Sequence, residues 1–282
     1  MTLLEAILLG IVQGIFMFFP VSSTSHLALL QHWLIENGSQ LPSPASSELI
    51  LFDLVVHVGT LVSIGIVFRK ELAKALLGIR QEITQGITSF FNKQNRYLRL
   101  VGYSLLSLTA TGLIGFIILL SGTAVFDSPY AIAINLIITG LLLWWTDSVD
   151  KNNYGPSDLT ARVAILIGVA QGFALLPGLS RSGLTIAIAL YLGLKRKWAA
   201  TYSFFLAIPT ILAASSVQLL IVLTDSQPIL IQPSAFVVGF VVSAIVGTGA
   251  LLAVLWLLYQ ARFRVFSYYV WVLAALVLLD II

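Results

Sequence analysis

Residues 10–26 read GIVQGIFMFFPVSSTSH and residues 168–183 read GVAQGFALLPGLSRSG. Each opens on GxxQG, at Gly10–Gly14 and Gly168–Gly172, runs apolar to a proline, Pro20 or Pro177, and continues in serine, threonine and glycine. Proline lacks an N–H and clashes with the preceding helical turn. Each stretch therefore predicts two helices with a break between them, and the surrounding sequence decides what such a break means.

That surrounding sequence suits a bilayer. Of 282 residues 59% are hydrophobic and 10% charged, against roughly 25% charged in an ordinary soluble domain. Apolar runs close to the ~20 residues that cross a bilayer recur at Leu51–Phe68, Leu100–Leu120, Ala131–Trp145, Ala199–Leu223, Ala235–Leu258 and Phe266–Ile282. Met1–Leu30 and Ala161–Leu194 are also apolar but carry the two breaks. The fold class expected is all-α integral membrane. Glu5 stands where a signal peptide would be basic, and no small-residue cleavage site follows, so a removable signal is not expected. The absence of cysteine excludes disulfides, thiolate metal sites and a cysteine nucleophile. The net charge of +3 points to cytoplasmic loops, which gather lysine and arginine, and not to nucleic acid.

Seven of the fifteen basic residues (Arg69, Lys70, Lys74, Arg80, Lys93, Arg96, Arg99) lie between the first two clear spans, and Lys195, Arg196, Lys197 and Arg262, Arg264 form two further clusters. These segments are expected inside, whereas Ser121–Pro129 and Thr224–Pro233, with no basic residue, are expected outside. Threaded through these constraints, Ala161–Leu194 enters and leaves on the inside as a re-entrant helical hairpin, and Met1–Leu30 does the same from outside. Each half is then a hairpin followed by three transmembrane helices. An odd number of spans inverts the second half, so the chain reads as a single membrane domain, 1–282, with an inverted-topology repeat of about 1–146 and 160–282. Arg69–Arg99 mixes apolar and charged positions and is expected to hold amphipathic helices at the membrane surface.

Non-helical backbone survives at membrane depth only where protein or a watery cavity satisfies it. After Pro20 come Ser22, Ser23, Thr24, Ser25 and His26; after Pro177 come Gly178, Ser180, Arg181, Ser182, Gly183 and Thr185. A charged side chain deep in a bilayer costs about 3 kcal/mol or more and marks function by default. Guanidinium suits bidentate binding of phosphate or carboxylate, and glycines beside a helix N-terminus let backbone N–H groups approach an anion. The two breaks are expected to meet near the bilayer midplane as an anion pocket. Small residues at tight helix contacts would account for VSSTS but not for Arg181. Asp53 and His57, at i and i+4, can pair with each other; Gln13 and Gln171 are expected to bond between the hairpins, or Gln13 to reach ligand.

At these residues the sequence resembles the undecaprenyl pyrophosphate phosphatase family of bacterial membranes, the bacitracin-resistance type. The likeness runs through LGIVQG at 9–14, PVSSTSHL at 20–27, FDLVVHVGTL at 52–61, LLPGLSRSGLT at 175–185 and YSFFLAIPTILAA at 202–214. The resemblance implies two inverted repeats with re-entrant hairpins in the plasma (inner) membrane. It implies removal of the terminal phosphate of undecaprenyl diphosphate, usually with a divalent cation, Mg²⁺ or Ca²⁺, to regenerate the carrier lipid of peptidoglycan synthesis. By the same resemblance Arg181 with Ser180, Ser182, Thr185, Gly178 and Ser22 would hold the phosphates, and Ser23 or His26 would supply the nucleophile or the general base.

The departure is at the family's (E/Q)xxxE pair, which here reads Gln13 and Met17, with Phe16 in place of a usual threonine. Two carboxylates at i and i+4 would bind Mg²⁺ or Ca²⁺ through hard oxygens, and methionine does not. Three readings follow. Asp53 or Glu48 substitutes; hydrolysis proceeds without a tightly held metal; or the chain has lost the chemistry and acts as a polyprenyl-phosphate binding protein or translocase.

Overall fold

The computed structural model describes residues 1–44, 46–85, 95–120, 128–149, 154–225 and 229–279, and among them there is no strand. Eleven α-helices are described: α1 (Leu3–Phe16), α2 (Ser23–Glu36), α3 (Ser47–Val67), α4 (Arg69–Thr84), α5 (Arg96–Leu120), α6 (Pro129–Thr146), α7 (Ala161–Phe173), α8 (Arg181–Tyr191), α9 (Arg196–Thr224), α10 (Pro233–Tyr259) and α11 (Arg264–Leu278). Five of them, α3, α5, α6, α9 and α10, are long and apolar enough to cross a membrane, so the protein is a multi-pass α-helical membrane protein. The sixth expected span corresponds to α11, which has 15 residues and stops short of the full run to Ile282. The amphipathic segment appears as α4, which exposes Leu76, Leu77 and Ile83 beside Lys70, Lys74 and Arg80. Most of the expected outside loop at 121–129 lies outside the described residues.

The chain divides into two compact units, Met1–Val67 with Ala207–Trp256, and Phe68–Leu206 with Leu257–Ile282. Each unit thus combines helices from both halves of the sequence. In the first, α1 lies so close to α10 that a Cβ on Gly10 would sit 3.0 Å from the Gly239 carbonyl oxygen, and one on Gly14 3.0 Å from the Gly247 nitrogen. In the second, a Cβ on Gly168 of α7 would sit 2.2 Å from the Ser107 carbonyl oxygen of α5, and one on Gly172 2.5 Å from Ile114 Cβ. The glycines of GxxQG are therefore contact residues: small side chains four apart let helix backbones approach where lipid offers no hydrophobic drive to association.

Hydroxyls reinforce the packing in both units, on α3 against α10 in the first and on α5 against α7 in the second. Ser63 Oγ donates to the Ala244 carbonyl at 2.8 Å in the first unit; in the second, Ser107 Oγ donates to Ala164 O at 2.7 Å and Thr111 Oγ1 to Gly168 O at 2.9 Å. The second unit also packs α6 on α11. There Trp144 stacks on Trp271 at 5.6 Å, Arg264 lies over Trp144 at 4.7 Å, and Asp147 accepts the N–H groups of Phe263 and Arg264, each at 2.8 Å, where a helix N-terminus favours an anion.

Candidate functional site

In the first unit α1 ends at Phe16, and a turn held by bonds from the Phe18 and Phe19 nitrogens to Ile15 O at 3.4 and 3.2 Å leads to Pro20. Ser22 then takes φ 69° and ψ 87°, a left-handed conformation that a non-glycine residue holds only when its surroundings enforce it. The next residue starts α2, so the sharp corner delivers Ser23 and His26 on the first turn of a helix. His26 Nδ1 lies 2.7 Å from Ser22 O. A carbonyl only accepts, so Nδ1 carries the proton, and in the neutral ring Nε2 holds the lone pair. Phe16 stacks on the ring with centroids 3.9 Å apart.

The hydroxyls sort themselves. Ser22 and Ser25 bond each other at 3.0 Å, Thr24 is exposed, and Ser23, half-buried, has no hydrogen-bond partner among the described residues. Ser23 also shares a helix face with His26 at i and i+3. A hydroxyl with no partner, one helical turn from an imidazole, supplies the two groups from which an activated nucleophile is built.

Behind this corner Gln13 is fully buried. Its Nε2 donates to Met17 Sδ at 3.6 Å, while its Oε1 is buried with no partner among the described residues. The carboxylates weighed as substitutes are engaged elsewhere. Asp53 accepts from Gln31 Nε2 of α2 at 2.9 and 3.2 Å, and Glu48 accepts the Leu230 N–H. His57 pairs with Asp53 through its backbone, Nδ1 to O at 2.7 Å, and not through the carboxylate. A divalent cation of the Mg²⁺ or Ca²⁺ kind wants six or more hard oxygens. Here the pair offers one amide oxygen and a thioether, and among the described residues no group of three or more His, Cys, Asp or Glu is placed to hold a metal ion. The cation site that the resemblance implies does not fit these side chains.

In the second unit α7 ends at Phe173 and α8 begins at Arg181. Gly178 has φ +87°, and a Cβ there would lie 2.6 Å from Ile132 O; only glycine meets both conditions. Two residues of α6 that the sequence reading missed pin this break. Asn135 Nδ2 donates to Pro177 O at 2.7 Å, Thr139 Oγ1 donates to Gly178 O at 3.2 Å, and Thr139 Oγ1 also accepts the Ser180 N–H at 3.3 Å. The available signal was two polar side chains at i and i+4 in an otherwise apolar span, INLIIT at 134–139.

Ser180 caps α8, its Oγ accepting the Gly183 N–H at 3.2 Å and lying 3.4 Å from Ser182 Oγ. Thr185 is fully buried, donates to Arg181 O at 2.8 Å and meets Ser203 Oγ of α9 at 2.5 Å, so its hydroxyl ties α8 to α9. Gln171 Nε2 donates to Thr111 Oγ1 at 3.1 Å; each motif glutamine thus makes a donor bond inside its own unit. Arg181 is half-buried, and its guanidinium has no hydrogen-bond or ion-pair partner among the described residues. An unpaired cation at a helix N-terminus, in a segment this apolar, has the charge and the backbone donors that suit an anion.

Fold and breaks together define a multi-pass helical membrane protein whose helix breaks carry hydroxyls, an imidazole and a guanidinium. The chain belongs to the Bacitracin resistance protein BacA family, which it matches over residues 6–276. The undecaprenyl-diphosphatase of Alkalilimnicola ehrlichii is 50% identical to it over 279 residues, covering 97% of this chain and 95% of that protein. That of Halorhodospira halophila is 49% identical over 280 residues, with 99% and 98% covered, and that of Carboxydothermus hydrogenoformans is 36% identical over 277 residues, with 97% and 95% covered.

Proposed function

We propose that this protein hydrolyses a polyprenyl diphosphate, undecaprenyl diphosphate foremost, to the monophosphate and inorganic phosphate in the bacterial plasma (inner) membrane, returning the carrier lipid of peptidoglycan synthesis. The observation that carries the reading is Arg181, an arginine without a partner at the N-terminus of α8, in a chain whose full-length relatives bear the name undecaprenyl-diphosphatase.

Arg181 and the N-terminal turn of α8, with Ser180, Ser182 and the Gly178 corner, bind the diphosphate; guanidinium and oriented backbone dipoles offset charge on the transferring phosphoryl group. Ser23 attacks the terminal phosphorus as His26 Nε2 takes its proton. The Ser23 O–P bond forms, the bridging P–O bond breaks, and the polyprenyl monophosphate leaves. Water then cleaves the phosphoserine with a proton passing to and from His26, which restores Ser23 and yields inorganic phosphate. No step runs through a cation at Gln13 and Met17. The reading of 1–146 and 160–282 as inverted repeats goes with this proposal; its support is that each GxxQG uses its two glycines in a helix contact of the same kind.

The test is phosphate release from a polyprenyl diphosphate by the purified full chain, beside Arg181→Ala and Ser23→Ala. Release should fall by about 10²–10³ in each variant, the size of losing one group that stabilises the transition state. No release above Arg181→Ala would overturn the reading. Transfer of the intact headgroup across proteoliposomes would then identify a translocase.

A further inference from the structure

On α8, Arg181, Leu184, Ile188 and Tyr191 stand at i, i+3, i+7 and i+10, one face of a helix. The last three of these line a groove of about 520 Å³ between α6, α7 and α8, a volume within the ~300–1,000 Å³ of small-molecule sites. One helix face therefore begins with a cation that has no partner and continues for ~15 Å, at ~1.5 Å per residue, as an apolar wall. The groove also shares structure with the break. Leu179, next to Ser180, lines it, and so does Asn135, the residue that holds the Pro177 carbonyl. Ile138, Phe173 and Tyr191 are exposed at its rim, so a long chain has a lateral way in. The first unit has a cavity of about 430 Å³ between α3, α9 and α10, but neither break contributes to its lining, and its polar side chains, Ser215 and Ser216, carry no charge.

We propose that the α6–α7–α8 groove seats the isoprenoid chain of the substrate, with the diphosphate at the Arg181 end and the hydrocarbon running along α8 toward Tyr191. This rests on the diphosphate reading above and adds where the lipid's chain lies. The chemistry is matched at both ends: a ligand that carries phosphate on one terminus of a long, methyl-bearing hydrocarbon chain fits a face that is cationic at one end and apolar beyond it.

Two measurements on the full chain test it. In the first, KM for phosphate release is compared between an undecaprenyl-length and a geranyl-length diphosphate, for the wild type and for Ile188→Trp, which fills the groove about two turns from Arg181. The long substrate should lose about tenfold more than the short one, equivalent to roughly two methylenes removed from an apolar site. An equal effect on both chain lengths, or none, overturns the groove while turnover of the short substrate leaves the diphosphatase reading standing.

The second needs no variant and so survives a misfolded one. The wild type is photolabelled with a diazirine-bearing polyprenyl diphosphate. Label should fall on peptides from 129–146 and 161–191, the helices that line the groove, and be displaced by polyprenyl monophosphate. Label on other helices alone, or displacement by ordinary diacyl phospholipid to the same degree, would make the groove a bilayer-lipid seam and sink the proposal.

Discussion

Phe16 stacks on His26 with ring planes 19° apart, and the same imidazole is anchored to Ser22 O. One face and one nitrogen of the ring are thereby fixed, and its orientation is set by two independent contacts. Both come from the break: Phe16 is the last residue of α1 and Ser22 the residue in left-handed conformation before α2.

Phe16→Ala should therefore lower kcat about 10- to 100-fold, the usual penalty for a reacting group displaced by about an ångström, with little change in KM. Steady-state phosphate release checks this, and a purely KM effect would count against the positioning role.

Met17→Glu should create a cation site where the present pair has none. Without metal, a carboxylate at this buried position, 5% exposed, is unfavourable; with Mg²⁺ or Ca²⁺ it becomes a ligand. The variant's thermal stability should rise as cation is added, by up to about 2.7 kcal/mol at a hundredfold excess over Kd. Wild type in the same titration should show no such rise. Differential scanning fluorimetry with chelator as reference reads both.

Asn135→Leu removes the donor to Pro177 O and leaves that carbonyl in an apolar span, a cost of about 1–3 kcal/mol. Because the same break presents Arg181, KM for the diphosphate should rise as well. A loss of stability with KM unchanged would mean that Asn135 supports the helix contact alone.

Gly178→Ala should destabilise by about 1–3 kcal/mol through its left-handed backbone and by more through the close Ile132 carbonyl. Gly183→Ala, a helical position whose backbone needs no such freedom, serves as the comparison in a thermal unfolding experiment.

The apolar runs, the two prolines and Arg181 were legible because their signals are local: hydropathy over a window, a missing N–H, a charge where lipid penalises it. Asn135 and Thr139 were not, since two polar residues at i and i+4 in a span do not announce which backbone they will satisfy. Nor was the partner of each GxxQG glycine pair, α10 for Gly10 and Gly14 and α5 for Gly168 and Gly172, because close approach depends on helices distant in sequence. Of the two glutamines, Gln171 donates to the span that its flanking glycines meet, at Thr111 of α5, whereas Gln13 donates at the end of its own helix, to Met17.

The contact of α1 with α10 also has a consequence for biosynthesis. Gly10 and Gly14 leave the ribosome well ahead of the helix they pack against, which begins at Pro233. At roughly 5–20 residues per second, the corner bearing Ser22, Ser23 and His26 waits on the order of ten seconds or more for the helix that backs α1. During that interval its polar groups must find water, lipid headgroups or an insertion factor, so a corner made long before its backing helix is among the last parts to be completed.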